Sequence, residues 1–161
     1  MQKELSVAEI QALVGQEVGV SRWFDVPQSR IDVFADATDD HQFIHVNPEE
    51  AAKTRLGGTI AHGFLSLSML SAMNYDGLPK VRGLIMGINY GFDKVRFVAP
   101  VFAGARIRGR FKLASARIRG EKLLALVHDV TIEIENGAKP ALTANWITIA
   151  EFDPAENAGD A

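Results

Sequence analysis

The chain has 161 residues, 47% hydrophobic and 23% charged, with a formal net charge of -3. That is the range of one globular domain, and the mildly acidic balance argues against the basic footprint that nucleic acid requires. With no cysteine, disulfides, thiolate metal sites and thiol nucleophiles are excluded, which fits a reducing compartment, and Met1 to Gln11 lacks the continuous apolar core of a signal peptide, so a cytoplasmic location is expected.

In chain order, Ser6-Val7-Ala8-Glu9 has the spacing of a capping box and predicts a helix from Val7 to about Val14, ended by Gly15. Residues 17–26 have strand-like content closed by Pro27. Ile31, Phe34 and Ala35 mark one buried stripe and predict a helix from about Gln28 to Ala37. A turn-like stretch from Asp39 to Val46 leads to Asn47-Pro48-Glu49-Glu50. There asparagine can cap, proline presets the first helical φ and two acids favour the positive end, so a short helix should start near Pro48.

After Gly57 and Gly58, a helix should run from about Gly63 to Tyr75. Its apolar residues Phe64, Leu65, Leu67, Met69, Leu70 and Met73 point in nearly every direction, so it should be wrapped by other elements. It is too short and too serine-rich to cross a membrane. Four long strands follow, over 84–98, 105–118, 123–135 and 141–152, with turns at Pro100 to Gly104, Arg119-Gly120-Glu121 and Asn136-Gly137 that suit antiparallel hairpins. An α+β domain is implied, whose curved antiparallel sheet covers the buried helix. Pro154 to Ala161 should form a flexible C-terminal tail.

The densest polar cluster is Thr38-Asp39-Asp40-His41-Gln42-Phe43-Ile44-His45. Asp40 and His45 lie about 140° apart on a helix and on opposite faces of a strand, so only a bend brings them together. If they meet, a carboxylate and an imidazole can share one water as an acid–base pair. They can equally be residues that simply favour a loop. A metal site drawing on His41, His45, Asp40 or His62 lacks a helical frame, and no metal is expected. His128, in an alternating strand segment, reads as structural, and no Gly-x-Ser-x-Gly elbow marks a serine hydrolase. Gly63 can offer an unobstructed backbone N–H to a carbonyl oxygen, or can mark close packing. Lys94 and Arg96, at i and i+2 of a strand, share a face and meet either substrate phosphates or solvent.

The run Phe34-Ala35-Asp36-Ala37-Thr38-Asp39-Asp40-His41-Gln42-Phe43-Ile44-His45, followed by Ala61-His62-Gly63-Phe64, closely resembles the hydratase motif of the MaoC-like (R)-specific enoyl-CoA hydratases of the hotdog superfamily. Residues 88–97 resemble a stretch of its NodN-like branch. The family's pattern is Gly-Asp-x-Asn-Pro, an aliphatic residue, then His. Here Asp39, Gln42 and Phe43 replace the glycine, asparagine and proline, while Asp40, Ile44 and His45 stand where expected.

The resemblance implies one hotdog domain over 1–153, a homodimer joined at sheet edges and a substrate tunnel near the interface. No cofactor and no membrane partner are implied. It further implies reversible hydration of a trans-2-enoyl thioester of CoA or acyl-carrier protein to the (R)-3-hydroxyacyl thioester. Asp40 and His45 would be catalytic, the N–H of Gly63 the oxyanion donor, Gln42 an orienting amide, and Lys94 and Arg96 contacts for the CoA phosphates. Two other readings remain, a hotdog acyl-CoA thioesterase and a non-catalytic acyl-thioester binder.

Overall fold

The computed structural model describes residues 3–157. A short strand, β1 (Glu4–Leu5), precedes α1 (Val7–Gln11), which starts on the expected capping box: Ser6 accepts from the Glu9 N–H, and Glu9 accepts from the Ser6 N–H. The helix is shorter than expected, because residues 12–15 turn and Gly15, at φ 91°, donates its N–H to the Leu113 carbonyl.

The single strand expected over 17–26 is two, β2 (Glu17–Val20) and β3 (Phe24–Val26). Ser21 lies at the break. Its N–H donates to the Gly109 carbonyl, its hydroxyl accepts from the Gly109 N–H, and a neighbouring helix end crowds in at Gly77. A side chain at Gly77 would meet the Ser21 backbone nitrogen at 2.8 Å, so that close approach depends on glycine.

Next come α2 (Gln28–Thr38), α3 (Phe43–Val46) and α4 (Pro48–Ala52). Asn47 caps α4 by accepting from the Glu50 N–H, as expected. The stretch read as a bare turn contains α3, one turn of helix whose first residue, Phe43, stands where the family pattern has proline. The helix expected from Gly63 is α5 (Gly63–Ser68) and α6 (Leu70–Gly77), broken at Met69. It is not enclosed on all sides. Leu65, Leu70 and Met73 are buried, but Phe64 is 67% exposed and Tyr75 70%.

Strand β4 (Lys80–Val81) pairs in parallel with β1, a two-stranded sheet that the sequence did not suggest. The long strands are β5 (Leu84–Phe97), β6 (Ala105–Arg119), β7 (Leu123–Ile134) and β8 (Leu142–Phe152). Their order is β2-β6-β7-β8-β5, all antiparallel, with β3 also on β6. The expected β6–β7 and β7–β8 neighbours pair, but β5 and β6 do not form a hairpin. Residues 98–104 instead cross from the edge strand β5 to β6, hydrogen-bonding at Val101 to Ala61 and at Ala103 to Thr59. Pro154–Asn157 forms a 3-10 turn fastened by Asn157, which accepts from the Val7 N–H and donates to the Arg82 carbonyl. The remainder of the expected tail lies outside the described residues.

The core forms where α5 and α6 lie on the sheet: Leu65, Leu70 and Met73 meet Ile107, Phe111, Ile132, Leu142 and Trp146. Ile31, fully buried, joins α2 to the same cluster. At about 1.5–3 kcal/mol for each large apolar side chain taken from water, this contact holds α2 and α5 in a fixed relation. The chain segment that carries Asp40 and His45 hangs between those two helices. The result is the α+β hotdog arrangement, a long antiparallel sheet against a helix.

Candidate active site

Helix α2 ends at Asp39, which adopts the left-handed conformation, φ 56° and ψ 21°. Asp is among the few residues that tolerate it. The chain turns there, so Asp40 leaves the helix and α3 begins three residues later. Asp40 Oδ1 accepts from the Gln42 N–H at 3.4 Å, a backbone contact that helps hold the carboxylate. The Gln42 side chain is exposed and does not line the cavity beside Asp40.

His45, on α3, is buried and held from two directions. Its Nδ1 donates to the Ile60 carbonyl at 2.7 Å, and the Ile60 N–H donates to the neighbouring Ile44 carbonyl at 3.0 Å. Gln28 adds a third restraint, donating to the His45 carbonyl at 2.7 Å and accepting from Thr59 Oγ1 at 2.5 Å. With Nδ1 carrying the proton, Nε2 presents a lone pair.

The geometry adds a residue weighed from sequence only as a possible metal ligand. His62 is 3% exposed and stacks on His45, with ring centroids 3.8 Å apart and planes 24° from parallel. Its Nε2 donates to the Asp40 carbonyl at 2.9 Å and lies 3.9 Å from Asp40 Oδ2, while Phe34 packs on it at 5.0 Å. Ligand atoms of Asp40, His45 and His62 all fall within 4.8 Å of one another. Imidazole lone pairs lie in the ring plane, so two nearly parallel stacked rings do not converge on an ion, and His62 Nε2 already faces a carbonyl. The trio suits protons better than a metal. His41 points away, 3.7 Å from Asp36.

Asp40, His45 and His62 line a cavity of about 460 Å³ together with Gly63, Phe64, Phe97 and Val98. An Asp40 oxygen and a His45 ring nitrogen lie no more than 4.8 Å apart, a separation that one water can bridge where that nitrogen is Nε2. Asp40 is about half exposed, at 54% of its side chain, so the water can enter from solvent. Gly63 opens α5 with His62 as the capping residue, and a first-turn N–H has no acceptor within its own helix. A Cβ at Gly63 would lie 2.8 Å from the Phe97 ring, so a side chain here would intrude on the cavity wall.

Neither Lys94 nor Arg96 lines this cavity. A β-bulge interrupts β5 between Asp93 and Arg96, with Lys94 at φ 54°, so the alternation that would have put both on one face is broken there. Arg96 donates to the Val95 carbonyl at 2.7 Å.

The family model described as "MaoC like domain" matches residues 9–133. The chain is similar to "Nodulation protein N" of Rhizobium leguminosarum bv. viciae, 59% identical over 152 residues, 94% of each chain. It is also similar to "3-hydroxyacyl-thioester dehydratase Z" of Mycobacterium tuberculosis, 43% identical over 142 residues, 88% of this chain and 93% of the other. Among solved structures, the unliganded (R)-hydratase PhaJ1 of Pseudomonas aeruginosa superposes with a TM-score of 0.69 at 22% identity, covering 91% of this chain and 86% of that one, a likeness of fold.

Proposed function

The chain belongs to the MaoC-like dehydratase family, and from that premise we propose that it interconverts trans-2-enoyl and (R)-3-hydroxyacyl thioesters, with Asp40 and His45 handling the protons. The observation that carries this reading is the sharing of one cavity by Asp40, His45 and Gly63. A thioester carbonyl set against the Gly63 N–H would be polarised, drawing electron density from the double bond and leaving the β-carbon electrophilic. His45 Nε2 and the Asp40 carboxylate would bind one water between them. In hydration the water gives its hydroxide to the β-carbon, its proton passes to the dyad, and the α-carbon takes a proton back. Dehydration is the same path reversed.

The narrower parts of the proposal have separate supports. A thioester of CoA or of acyl-carrier protein is the substrate class, a reading supported by a cavity that sets the half-exposed Asp40 carboxylate beside the apolar side chains of Phe64, Phe97 and Val101. A homodimer is supported by β5, an edge strand that exposes Ile85, Met86, Ile88 and Tyr90, since open apolar edges invite pairing. Sedimentation at the mass of one chain would reject it. Loss of enoyl absorbance from crotonyl-CoA tests the reaction, and a thiol reagent in the same cuvette separates hydration from thioester cleavage. Release of free CoA in step with that loss would favour the hydrolytic alternative.

A further inference from the structure

His45 sits on α3, four residues long and too short to hold itself as a helix, so the imidazole owes its place to its neighbours. One of them is the side-chain amide of Gln28, at the start of α2. Its Nε2 donates to Asp32 Oδ1 at 2.8 Å and to the His45 carbonyl at 2.7 Å, and its Oε1 accepts from Thr59 Oγ1 at 2.5 Å. A carbonyl and an ionised carboxylate only accept, which fixes the amide nitrogen on their side and leaves its oxygen to the hydroxyl. Both N–H groups are thus engaged.

Those partners converge on one bond. The His45 carbonyl belongs to the last turn of α3, where a helix has no partner of its own to offer it. Thr59, buried and held by its carbonyl to the Ala103 N–H, directly precedes Ile60, whose carbonyl accepts from His45 Nδ1 at 2.7 Å. The same amide therefore grips the backbone that carries the imidazole and the residue next to its acceptor. Which ring nitrogen of a neutral histidine holds the proton is set by the hydrogen bonds the ring makes. Since a carbonyl only accepts, a short bond to Ile60 keeps the proton on Nδ1 and leaves the Nε2 lone pair free. A slack bond would let the proton settle on Nε2, and the lone pair facing the cavity would be lost.

We infer that Gln28 is a positioning residue for His45: by holding both sides of the bond between Nδ1 and Ile60, its amide selects the tautomer that leaves Nε2 free to act as a base. For its effect on turnover the inference rests on the acid–base reading above, whereas its effect on the ring stands apart from that reading. Packing alone is the competing role, in which the amide ties α2 to α3 without governing the imidazole. Gln28→Met separates the two, because methionine keeps the length and the apolar stem and deletes both N–H donors.

Nitrogen NMR of the full chain carrying isotope-labelled histidine reads the tautomer directly, at about pH 9, above the range in which imidazoles ordinarily take up a proton. The chain has 4 histidines, and the signals missing from His45→Gln are those of His45. They should report a proton on Nδ1 in the unsubstituted protein and a mixture of tautomers in Gln28→Met. A proton on Nε2 in the unsubstituted protein, or an unchanged Nδ1 proton in Gln28→Met, overturns the inference. In hydration of crotonyl-CoA, Gln28→Met should lower kcat by about tenfold to 10²-fold, the scale of a misplaced catalytic group, with KM nearly constant. Added to His45→Gln it should cost nothing further, and an equal loss there overturns the inference. Should Gln28→Met fail to fold, Thr59→Val must shift the tautomer and Thr59→Ser must shift it less, and an unshifted tautomer in Thr59→Val overturns the inference as well. A protein that hydrates no crotonyl-CoA while its His45 tautomer responds to Gln28→Met would defeat the proposed reaction and leave the positioning role standing.

Discussion

His62 lies flat against His45, ring centroids 3.8 Å apart, while its Nε2 donates to the backbone carbonyl of Asp40. One buried side chain thereby touches both members of the proposed dyad and directly precedes Gly63, which lines the same cavity. Its hydrogen bond to Asp40 is to the backbone, which suits a positioning role for His62 in the proposed site.

Two substitutions separate its contacts. His62→Phe keeps a ring against His45 but loses the donor to Asp40, whereas His62→Gln can keep a donor and loses the stack. Misplacement of a catalytic group costs up to about 10²-fold in rate. We expect His62→Phe to lower kcat toward that extent with little change in KM, and His62→Gln to recover part of the loss. Equal falls in kcat and in folded fraction for both would assign His62 to packing alone.

A second pair isolates the Gly63 donor. Gly63→Ala and Gly63→Pro place the same Cβ about 2.8 Å from the half-exposed Phe97 ring, but only proline deletes the N–H. Proline is tolerated at a first helical position, and His62, at φ -57° and ψ 138°, already has a backbone suited to precede it. Both variants should fold. Loss of one oxyanion donor costs on the order of 10²–10³ in kcat, so proline should fall below alanine by about that factor in steady-state hydration. Equal activities would remove the donor from the mechanism.

His128 makes stability depend on pH. Burial, its main perturbation, lowers its pKa from 6.5 to about 4, opposed only by the nearby Asp129 charge. Between those values the unfolded chain takes up a proton that the folded chain refuses, so this contribution is full above about pH 6.5 and lost as pH falls toward about 4. The loss is on the order of 3 kcal/mol. Urea unfolding at about pH 7 and about pH 4.5 should show a shallower acid decline in His128→Leu than in the unsubstituted protein. Parallel declines would contradict the assignment.

Much of this arrangement was legible in the residues themselves. The Ser6–Glu9 capping box, the α2 stripe through Ile31 and Ala35, and the four long strands follow from local chemistry and periodicity, which act over a few residues. Among the long strands, β6–β7 and β7–β8 pair as expected, and only the partner of β5 was hidden. The turn-like residues 100–104 suggested a hairpin, but pairing depends on contacts distant in sequence, and β5 found β8. The break at Ser21 was likewise hidden, because it arises from Gly109 and Gly77. At the site, the Asp40–His45 spacing pointed to a bend, and the left-handed Asp39 with one turn of α3 supplies it. The place of His62 depends on how α5 meets α3, although its position immediately before Gly63 was a signal that could have drawn attention to it. The bulge at Lys94 that undoes its alternation with Arg96 had no mark in composition, since lysine seldom adopts that backbone.

The most direct measurement is steady-state hydration of crotonyl-CoA by Asp40→Asn and His45→Gln, with folding and assembly checked by circular dichroism and sedimentation. Each variant should remain folded and assembled like the unsubstituted protein while losing about 10²–10⁴ in kcat, the scale of a removed acid–base group. Unsubstituted turnover in either variant would contradict the account.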